Sequence, residues 1–430
     1  MKIKFIDKLF NNDNPIIVSS TNRNVDIYIN NILNIVIASS NIKSIFKYKS
    51  QDKNNKILFD LSSLKNVFIN AFVYRIIQGI YSFEKYKTSN IIEKNISFYI
   101  PQLSNINKEE LLKVLEASKI TRDIINEPSN IFTPDRFSKN AINMFKGRKN
   151  VNIKVFDDKM IKKLGLNLVY AIGGHSQNKP RFLIIDYTPP NSKKTVCIVG
   201  KGVTIDTGGY SVKTNHSMNN MHMDKEGASI CVGLIDTLSK NKYNNRIVCI
   251  CPLVENIISD SSIKPNDIVK AYNGQTVEII NVDAEGRLIL ADALAYACKI
   301  YKPDYILDFA TLTGWSEYIN CHTSFTHFTI NEKLANCVIK YGNIYAERSY
   351  RIPAWLEYME YISSNVADVK NHGFECRHSD GFMASLFLMN FIPHEYRNKW
   401  IHFDIRLSSY NNNVNVADGF ASFLAIIKNI

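Results

Sequence analysis

The chain has 430 residues and a net charge of +12, with 45% hydrophobic and 21% charged residues. These fractions are ordinary for a soluble globular protein, and the length exceeds what one compact core usually holds, so we expect two domains of unequal size. No apolar run approaches the ~18 residues that a membrane-spanning helix needs, so a membrane protein is not expected.

The basic residues and the eight cysteines indicate little about function. Lysine is spread over the whole chain and forms no block of five or six basic residues, so we attribute the charge to a solvated surface and do not expect nucleic-acid binding. The cysteines show no paired spacing, and residues 1–8 lack the apolar core of a signal peptide. A reduced, cytoplasmic location is therefore predicted.

Residues 1–107 are predicted to form a small α/β domain. Short apolar strands are indicated at 14–20 and 25–29, and the apolar spacing over 72–81 is helical. This part of the sequence contains neither a glycine-rich phosphate loop nor a pair of acids. We therefore expect it to serve recognition or assembly rather than chemistry.

Residues 108–430 are predicted to form a larger α/β domain, which a helix over 108–125 should link to the first. Beyond this helix, apolar strands alternate with helices in βαβ order, and we expect the strands at 151–156, 182–187, 195–200, 246–252 and 305–309. Their nearly continuous apolar character indicates a central, mostly parallel sheet that helices cover on both faces. Functional side chains in such sheets gather at the carboxyl ends of strands, where we place Asp206 and Asp308.

The segment 281–287, Asn-Val-Asp-Ala-Glu-Gly-Arg, carries the strongest chemical signal in the chain. Its charged residues Asp283, Glu285 and Arg287 stand two positions apart, so an extended segment would point all three the same way. Adjacent acids repel each other unless a cation lies between them, and the usual cations are metal ions or buried bases. Together with Asp206, this segment predicts a metal-dependent enzyme.

Ordinary explanations exist for each acid alone. An aspartate after a strand commonly caps a helix, and an exposed Asp-x-Glu pair is commonly just solvated. The glycines around these acids argue against both explanations, because glycine lets the backbone come close to a ligand or to another backbone; they are Gly202, Gly208, Gly209, Gly227 and Gly286.

On these motifs the chain resembles the leucyl aminopeptidase family, the dinuclear metallo-exopeptidases of the cytosol-aminopeptidase type. Residues 199–213 are similar to its first signature, 221–224 to its Met-x-x-Asp element, and 281–288 to its most specific motif, with Val282 where threonine is usual. Further elements follow in the family's order at 308–314, 367–371 and 400–404, so the resemblance covers essentially all of 108–425. Residues 1–107 more weakly resemble a shortened form of the family's accessory domain.

The resemblance implies an aminopeptidase that hydrolyses the N-terminal residue from peptides with a water activated by two divalent metal ions. Zinc or manganese is expected, with cobalt and magnesium as alternatives. Asp206 and Glu285 would each contact both ions; the remaining ligands would be Asp283 for one ion, and Lys201 and Asp224 for the other. The resemblance also implies a homohexamer.

Two further residues are implied to act in catalysis. Lys213 would stabilise the oxyanion of the tetrahedral intermediate. Arg287 would hold a bicarbonate ion that acts as the general base. The alternative for Arg287 is a salt bridge to one of the acids, and the two roles are compatible.

The chain departs from the family pattern around the expected substrate pocket, whose candidate residues are Met221, Glu226, Thr311, Gly314 and Arg406. Lys225 and Glu226 stand where small or apolar residues are usual, Arg406 stands at the pocket wall, and Trp315 replaces a small residue. Arg406 could enter the pocket and favour acidic or polar N-terminal residues, or pair with Glu226 and restore a neutral wall.

Two rival functions remain at this stage. One is a catalytically silent relative that serves binding or assembly, which is disfavoured because every expected ligand, Lys213 and Arg287 are present. The other is an accessory DNA-binding role, which the charge of +12 permits. A histidine-based zinc protease is disfavoured, because the sequence contains no His-x-x-x-His pair.

Overall fold

The computed structural model describes residues 2–6, 16–19, 27–28, 56–64, 66–88, 95–100, 107–320, 324–373, 380–405, 409–410, 414–415 and 417–430. Within these ranges the chain forms a five-stranded and a nine-stranded sheet, two smaller sheets, and helices that pack against them.

The five-stranded sheet belongs to the N-terminal part of the chain. Its strands are β1 (Lys2–Ile6), β2 (Ile16–Ser19), β3 (Ile27–Tyr28), β4 (Lys56–Ser63) and β5 (Asn95–Tyr99). They lie in the order β1-β5-β4-β2-β3, and all pairs are parallel. The helix α1 (Asn66–Gly79) follows β4. The strands predicted at 14–20 and 25–29 contain β2 and β3, and the remaining residues of both predictions lie outside the described ranges.

The predicted linking helix is α2 (Lys108–Asn126), which begins after Asn107, whose side chain accepts a hydrogen bond from Glu110 N. Arg75 of α1 forms a buried ion pair of 2.5 Å with Asp418, near the C-terminus. Tyr81 donates a hydrogen bond of 2.8 Å to Asp123 of α2. The N-terminal segments are therefore tied to the rest of the chain by polar contacts, and a domain boundary at 107 stays a prediction.

The remaining strands and helices follow in chain order. The strands of the large sheet are β6 (Val151–Phe156), β7 (Arg181–Tyr187), β8 (Thr195–Gly200), β9 (Gly202–Asp206), β10 (Arg246–Asn256), β13 (Tyr305–Ala310), β14 (Ser324–Phe328), β15 (Arg348–Ile352) and β17 (Trp400–Asp404). The small sheets comprise β11 (Ile268–Lys270), β12 (Thr276–Glu278) and β16 (Val369–Lys370), and β18 (Ser409–Tyr410) with β19 (Val414–Asn415).

The helices of this part are α3 (Pro134–Met144), α4 (Asp158–Leu164), α5 (Asn167–Gly173), α6 (Asn215–Met218), α7 (Glu226–Lys240), α8 (Glu285–Tyr301), α9 (Trp315–Asn320), α10 (Glu332–Ile344), α11 (Asp380–Asn390), α12 (His394–Arg397) and α13 (Phe420–Asn429). Single 3-10 segments occur at Met221–Met223 and Leu356–Ile362.

The large sheet has a parallel centre and antiparallel flanks. Its order is β15-β14-β17-β13-β8-β10-β7-β6, with β9 paired to β10. The strands β17, β13, β8 and β10 are parallel, whereas β7 runs antiparallel to β10 and β14 antiparallel to β17. This confirms the predicted mostly parallel sheet, and all five predicted strands are present.

Both faces of the sheet are covered, as the continuous apolar strands predict. Within β13, Leu307 and Phe309 join a core with residues of α2, α7 and α13, whereas Ile306 and Ala310 join a second core with residues of α5, α8 and α11. No helix in the described ranges is both long enough and apolar enough to cross a membrane.

Residues 281–287 are not extended, so the spacing of Asp283, Glu285 and Arg287 does not align them as in a strand. Asn281 Oδ1 accepts a hydrogen bond of 2.8 Å from Asp283 N, and Asn281 O accepts one of 3.2 Å from Ala284 N, so the chain turns here. The helix α8 then begins at Glu285, where a negative side chain is favoured by the helix dipole. Asp283 therefore lies in a turn, and Arg287 lies in the first turn of a helix.

Asp308 also differs from its expected placement. It lies within β13, buried, and its two carboxylate oxygens bond Trp400 Nε1 and His402 Nδ1, each over 2.6 Å. Its oxygens are therefore used inside the core, and Asp308 is not part of the acid cluster described below.

Candidate metal centre

The candidate centre lies at the carboxyl edge of the large sheet. Lys201 follows the end of β8, Thr311 follows the end of β13, and Asp206 and Asn256 are the last residues of β9 and β10. Because these strands are parallel or paired side by side, their ends present polar side chains to the same region. The turn that precedes α8 brings Asp283 and Glu285 to this region as well.

Lys201 lies among three oxygen groups, one from each of three separate segments. Its Nζ is 3.0 Å from Asp224 Oδ2 and 2.8 Å from Glu285 Oε1, and it donates a hydrogen bond of 2.7 Å to Thr311 O. Lys201, Asp224 and Glu285 are all buried. The structure thus brings together three of the five predicted metal ligands, with the Lys201 ammonium group between the two carboxylates.

Lys213 forms ion pairs with the other two acids of the cluster. Its Nζ is 2.8 Å from Asp206 Oδ2 and 2.6 Å from Asp283 Oδ1. Both Lys213 and Asp283 are half-buried, whereas Asp206 is buried. The five predicted ligands and the predicted catalytic lysine therefore form one continuous cluster.

The donor set fits divalent metal ions. Asp206, Asp283 and Glu285 each offer one oxygen, and these atoms lie within 4.8 Å of one another. Glu285 Oε2 is buried and has no hydrogen-bond partner among the described residues. Carboxylate oxygens suit hard or borderline cations such as manganese, magnesium and zinc. An unpaired buried carboxylate oxygen next to two further carboxylates is what a metal ion would satisfy.

Three acids of the cluster have raised pKa values, so the two lysines do not fully offset the cost of burying their negative charges. Burial, together with repulsion from Glu285 and Asp206, raises the pKa of Asp224 to about 8. Burial and the neighbouring Asp206 and Glu285 raise the pKa of Asp283 to about 7. The pKa of Glu285 is also raised, first by burial and then by Asp206. The cluster therefore favours additional positive charge.

The same acids raise the pKa values of the two lysines and so favour their charged forms. Burial alone would lower the pKa of Lys201, but Asp224, Glu285 and Asp206 outweigh burial and raise the pKa above its ordinary value. The pKa of Lys213 is raised in the same manner by Asp206, Glu285 and Asp283 against burial. In the metal-free protein both lysines are therefore ammonium ions.

Glycine is required where the two signature segments meet. A Cβ atom on Gly286 would lie 2.8 Å from Cδ, Cε and Nζ of Lys201. The alkyl chain of Lys201 therefore crosses the backbone at Gly286, which explains the Glu-Gly pair in the motif.

Sequence reasoning missed two residues that orient the cluster. Asn256 Nδ2 donates to Asp206 Oδ1 over 2.8 Å and to Val282 O over 3.2 Å, so it joins the Asp206 strand to the Asp283 turn. Asn371 accepts from Ile280 N over 2.7 Å and donates to Asn281 O over 2.7 Å. A polar residue at the end of the apolar strand β10 was the available signal for Asn256.

Arg287 lies next to the cluster but does not bond its acids. Its side chain is buried, with Nη2 2.6 Å from Asp380 Oδ1 and Nη1 donating to Asn371 O over 2.9 Å. The partner of Arg287 is therefore Asp380 on α11, a residue that the sequence analysis did not consider.

The predicted pocket residues are only partly brought together. Thr311 Oγ1 donates to Asp224 Oδ1 over 2.5 Å, which places it against the metal cluster. Met221 is half-buried and Gly314 is exposed. Glu226 is fully buried and accepts a hydrogen bond of 2.5 Å from Asn415 Nδ2. Arg406 lies outside the described residues, so the choice between its two predicted roles stays open.

Fold and site together define an α/β protein with a cluster of acids and lysines at the carboxyl edge of its sheet, suited to bind metal ions. The model of the catalytic domain of the cytosol aminopeptidase family matches residues 119–424. The chain belongs to this family, which confirms the resemblance drawn from the motifs.

Individual relatives agree with this assignment. A probable cytosol aminopeptidase of Chlorobium limicola is 38% identical over 331 residues, which are 76% of this chain and 65% of that protein. One of Clostridium tetani is 32% identical over 385 residues, 87% of this chain and 78% of that protein. The chain thus spans somewhat less than two thirds of the first relative and more of the second.

A solved structure shows the same fold. The bottromycin maturation enzyme BotP in complex with Mn is 25% identical and superposes with a TM-score of 0.81, over 92% of this chain and 87% of that one. This match confirms the predicted fold class.

Proposed function

We propose that this chain is a metal-dependent aminopeptidase that uses two divalent ions to release the N-terminal residue of peptides. The observation that carries the proposal is the single cluster formed by the five predicted ligands with Lys213. Membership of the cytosol aminopeptidase family supports it. All seven residues with implied roles are present, so a catalytically silent relative is not favoured.

The resemblance implies how the ions would be shared. Lys201 and Asp224 would hold one ion, Asp283 the other, and Asp206 and Glu285 would contact both. When bound, such ions polarise a carbonyl group and lower the pKa of water. Manganese is supported by the ion bound to the structurally similar BotP, with zinc as the alternative. Cobalt and magnesium are further alternatives.

Lys201 must change its protonation state for this role. Its pKa is raised in the metal-free cluster by Asp224, Glu285 and Asp206, against burial, so it begins as an ammonium ion. A lysine that binds a metal does so as a neutral amine. Metal binding at this position must therefore release a proton, and the carboxylates that favoured the ammonium ion are then compensated by the metal.

Lys213 is suited to stabilise negative charge. Asp206 and Asp283 hold its Nζ at the cluster, at 2.8 and 2.6 Å. Because its pKa is raised, the side chain stays protonated at neutral pH. An ammonium group held in place by two carboxylates favours the oxyanion over the neutral carbonyl, which lowers the barrier to hydrolysis.

Substrate preference, assembly and location are proposed from the resemblance alone: peptides as substrates, a homohexamer and a cytoplasmic enzyme. A DNA-binding role has no supporting contact in the described residues, and salt-sensitive binding of random duplex DNA would be its test.

To determine the preferred N-terminal residue of the substrate, leucyl, aspartyl and glutamyl amides should be compared. Strong preference for leucine would exclude an acid-selecting role of Arg406.

The test of the proposal uses metal-stripped full-length protein with manganese, zinc, cobalt or magnesium added back. A panel of aminoacyl-fluorophore substrates is expected to be cleaved with at least one metal, and the same substrates with an acetylated amino group should resist cleavage. Lys213→Met should bind metal normally and lose most activity. If none of the aminoacyl substrates were cleaved with any of the four metals, the proposal would be refuted.

A further inference from the structure

The buried guanidinium of Arg287 already has a carboxylate partner in this chain. Arg287 Nη2 lies 2.6 Å from Asp380 Oδ1, and the side chains of Arg287 and Asp380 are 1% and 25% exposed. Arg287 Nη1 donates to Asn371 O over 2.9 Å. Arg287 Nε has no hydrogen-bond partner among the described residues.

This arrangement bears directly on the bicarbonate ion that the resemblance assigns to Arg287. A buried guanidinium needs one negative partner to offset the loss of hydration, and Asp380 supplies it. A second anion on the same guanidinium would be repelled by the carboxylate already there. Asp380 is also the more exposed member of the pair.

The position of Asp380 is built into the fold. Asp380 is the first residue of α11, and the next residue, Gly381, packs against Trp315. A Cβ atom on Gly381 would lie 2.4 Å from Trp315 Cε3, and the Trp315 and Phe382 rings are 5.4 Å apart. Trp315, an unusual residue for the family, therefore fixes the start of the helix that carries Asp380.

We propose that Asp380 provides to Arg287 the carboxylate that a bound bicarbonate would otherwise provide, so that this chain works without bicarbonate. The inference rests on the proposed aminopeptidase function. In the reaction, the attacking water gives a proton to the Asp380 carboxylate and its oxygen bonds to the carbonyl carbon. The peptide C–N bond then breaks, and the same proton passes to the leaving nitrogen.

The kinetic test compares Asp380→Ala with the unaltered protein in carbon-dioxide-free buffer. The unaltered protein should be fully active there and should not respond to added bicarbonate. Asp380→Ala should lose about 10²-fold in kcat, the order expected for general-base catalysis, and bicarbonate or formate should restore part of it. Restoration should disappear in Asp380→Ala combined with Arg287→Met.

A matched control removes a carboxylate from an arginine elsewhere. Arg351 binds Glu332 with two hydrogen bonds, of 2.8 and 2.7 Å, on the surface. Glu332→Ala should have unchanged activity in both buffers. Bicarbonate stimulation of the unaltered protein, or full activity of Asp380→Ala without bicarbonate, would overturn the proposal.

Direct binding gives a readout that is independent of activity. With zinc-loaded protein, the 13C signal of labelled bicarbonate should broaden on adding Asp380→Ala and stay sharp with the unaltered protein. Broadening by the unaltered protein would overturn the inference even if the enzyme were inactive. If no peptide is cleaved by any form but only Asp380→Ala binds bicarbonate, the aminopeptidase proposal fails while the assignment of Asp380 as the anion on Arg287 stands.

Discussion

Gly286 and Lys201 lie so close that any side chain on the first would displace the second. A methyl group on Gly286 would come within 2.8 Å of the last three side-chain atoms of Lys201. We therefore expect Gly286→Ala to fold but to bind metal about 10–100-fold more weakly, as when the support of a metal ligand is removed. Calorimetric titration of manganese and zinc into stripped protein measures this loss.

Gly274 offers a matched control, because its φ of 97° also penalises a side chain. It is exposed, in the turn between β11 and β12. Gly274→Ala should lower the unfolding temperature without changing metal affinity. Equal metal affinity in Gly286→Ala and the unaltered protein would show that Lys201 is not a ligand.

Asp283→Asn should separate stability from metal binding. Burial, Asp206 and Glu285 raise the pKa of Asp283 to about 7, so ionisation of Asp283 at pH 8 costs the metal-free fold stability relative to the unfolded chain. A neutral amide should leave the metal-free protein as stable as before or more stable, while abolishing the stabilisation that added manganese gives. Thermal unfolding with EDTA and with manganese measures both effects.

Asp304→Asn is the control for this variant, since the exposed Asp304 accepts a hydrogen bond of 2.9 Å from Thr195 N at the opposite end of β8. Its response to manganese should match that of the unaltered protein. A full manganese response in Asp283→Asn would remove Asp283 from the ligand set.

Metal affinity should rise with pH between 6 and 9. The metal-free fold holds protons on Asp283 and Asp224 up to about pH 7 and 8, because burial and neighbouring acids raise both pKa values. Protonated forms of such acids stabilise the metal-free fold, and this stabilisation is lost as the pH rises through these values. Each proton that the metal must displace lowers affinity about tenfold per pH unit below the pKa.

Titration of manganese in two buffers with different ionisation enthalpies counts these protons. At pH 6 more protons should be released per ion than at pH 9, and the increase in unfolding temperature caused by manganese should be larger at pH 9. An affinity that does not change over this range would contradict the assignment of these acids as ligands.

The sheet was predictable from sequence because its central strands are buried on both faces. Runs such as 196–200 contain no polar residue, which leaves no alternation to misread and marks the end of the strand by the first polar residue, Lys201. The same logic placed Asp206 correctly at the carboxyl edge, but it also placed Asp308 there, and Asp308 lies within β13. The C-terminal end of β10 was predicted at Pro252, because proline is unusual inside a sheet, but the strand continues for four more residues to Asn256.

The relations within the site were harder to predict because they depend on turns and distant contacts. The Asn281 side chain bends the chain before α8, which an i, i+2 pattern does not reveal. Arg287 and Asp380 are 93 positions apart and meet only when α11 packs beside α8. No local pattern distinguishes Asp380 from an ordinary helix-capping acid.

Asn256→Ala should impair catalysis more than folding. The Asn256 amide holds Asp206 Oδ1 at 2.8 Å and Val282 O at 3.2 Å, so its loss frees the carboxylate that would bridge both ions. We expect activity to fall about 10–100-fold, as for other groups that orient metal ligands. Steady-state kinetics at saturating manganese measures this loss of activity. Asn167→Ala is the control, because the Asn167 side chain donates a hydrogen bond to Lys270 O, away from the cluster. Unchanged kinetics in Asn256→Ala would show that Asp206 needs no such support.

Lys225→Met should destabilise the fold despite removing a buried charge. The Lys225 side chain is fully buried and donates to Ile125 O over 2.9 Å, to Glu127 O over 2.8 Å, and to His222 O. It thus ties the C-terminal end of α2 to the turn that carries Asp224. Methionine would leave these carbonyls without a donor, at a cost of about 2–3 kcal/mol after allowing for the charge that no longer needs burying.

The pH dependence of this cost has a definite sign. Burial lowers the pKa of Lys225 to about 7, while a lysine in an unfolded chain titrates near ~10.4. Between these values the fold holds fewer protons than the unfolded chain, so the unaltered protein gains stability over Lys225→Met as the pH rises from 7 to 9. Urea unfolding in EDTA at both pH values tests this. The control is Lys240→Met, which loses partly exposed ion pairs with Asp236 and Glu116 and is expected to cost less than about 1 kcal/mol. An advantage of the unaltered protein that stays constant with rising pH would show that Lys225 stays charged in the fold throughout this range.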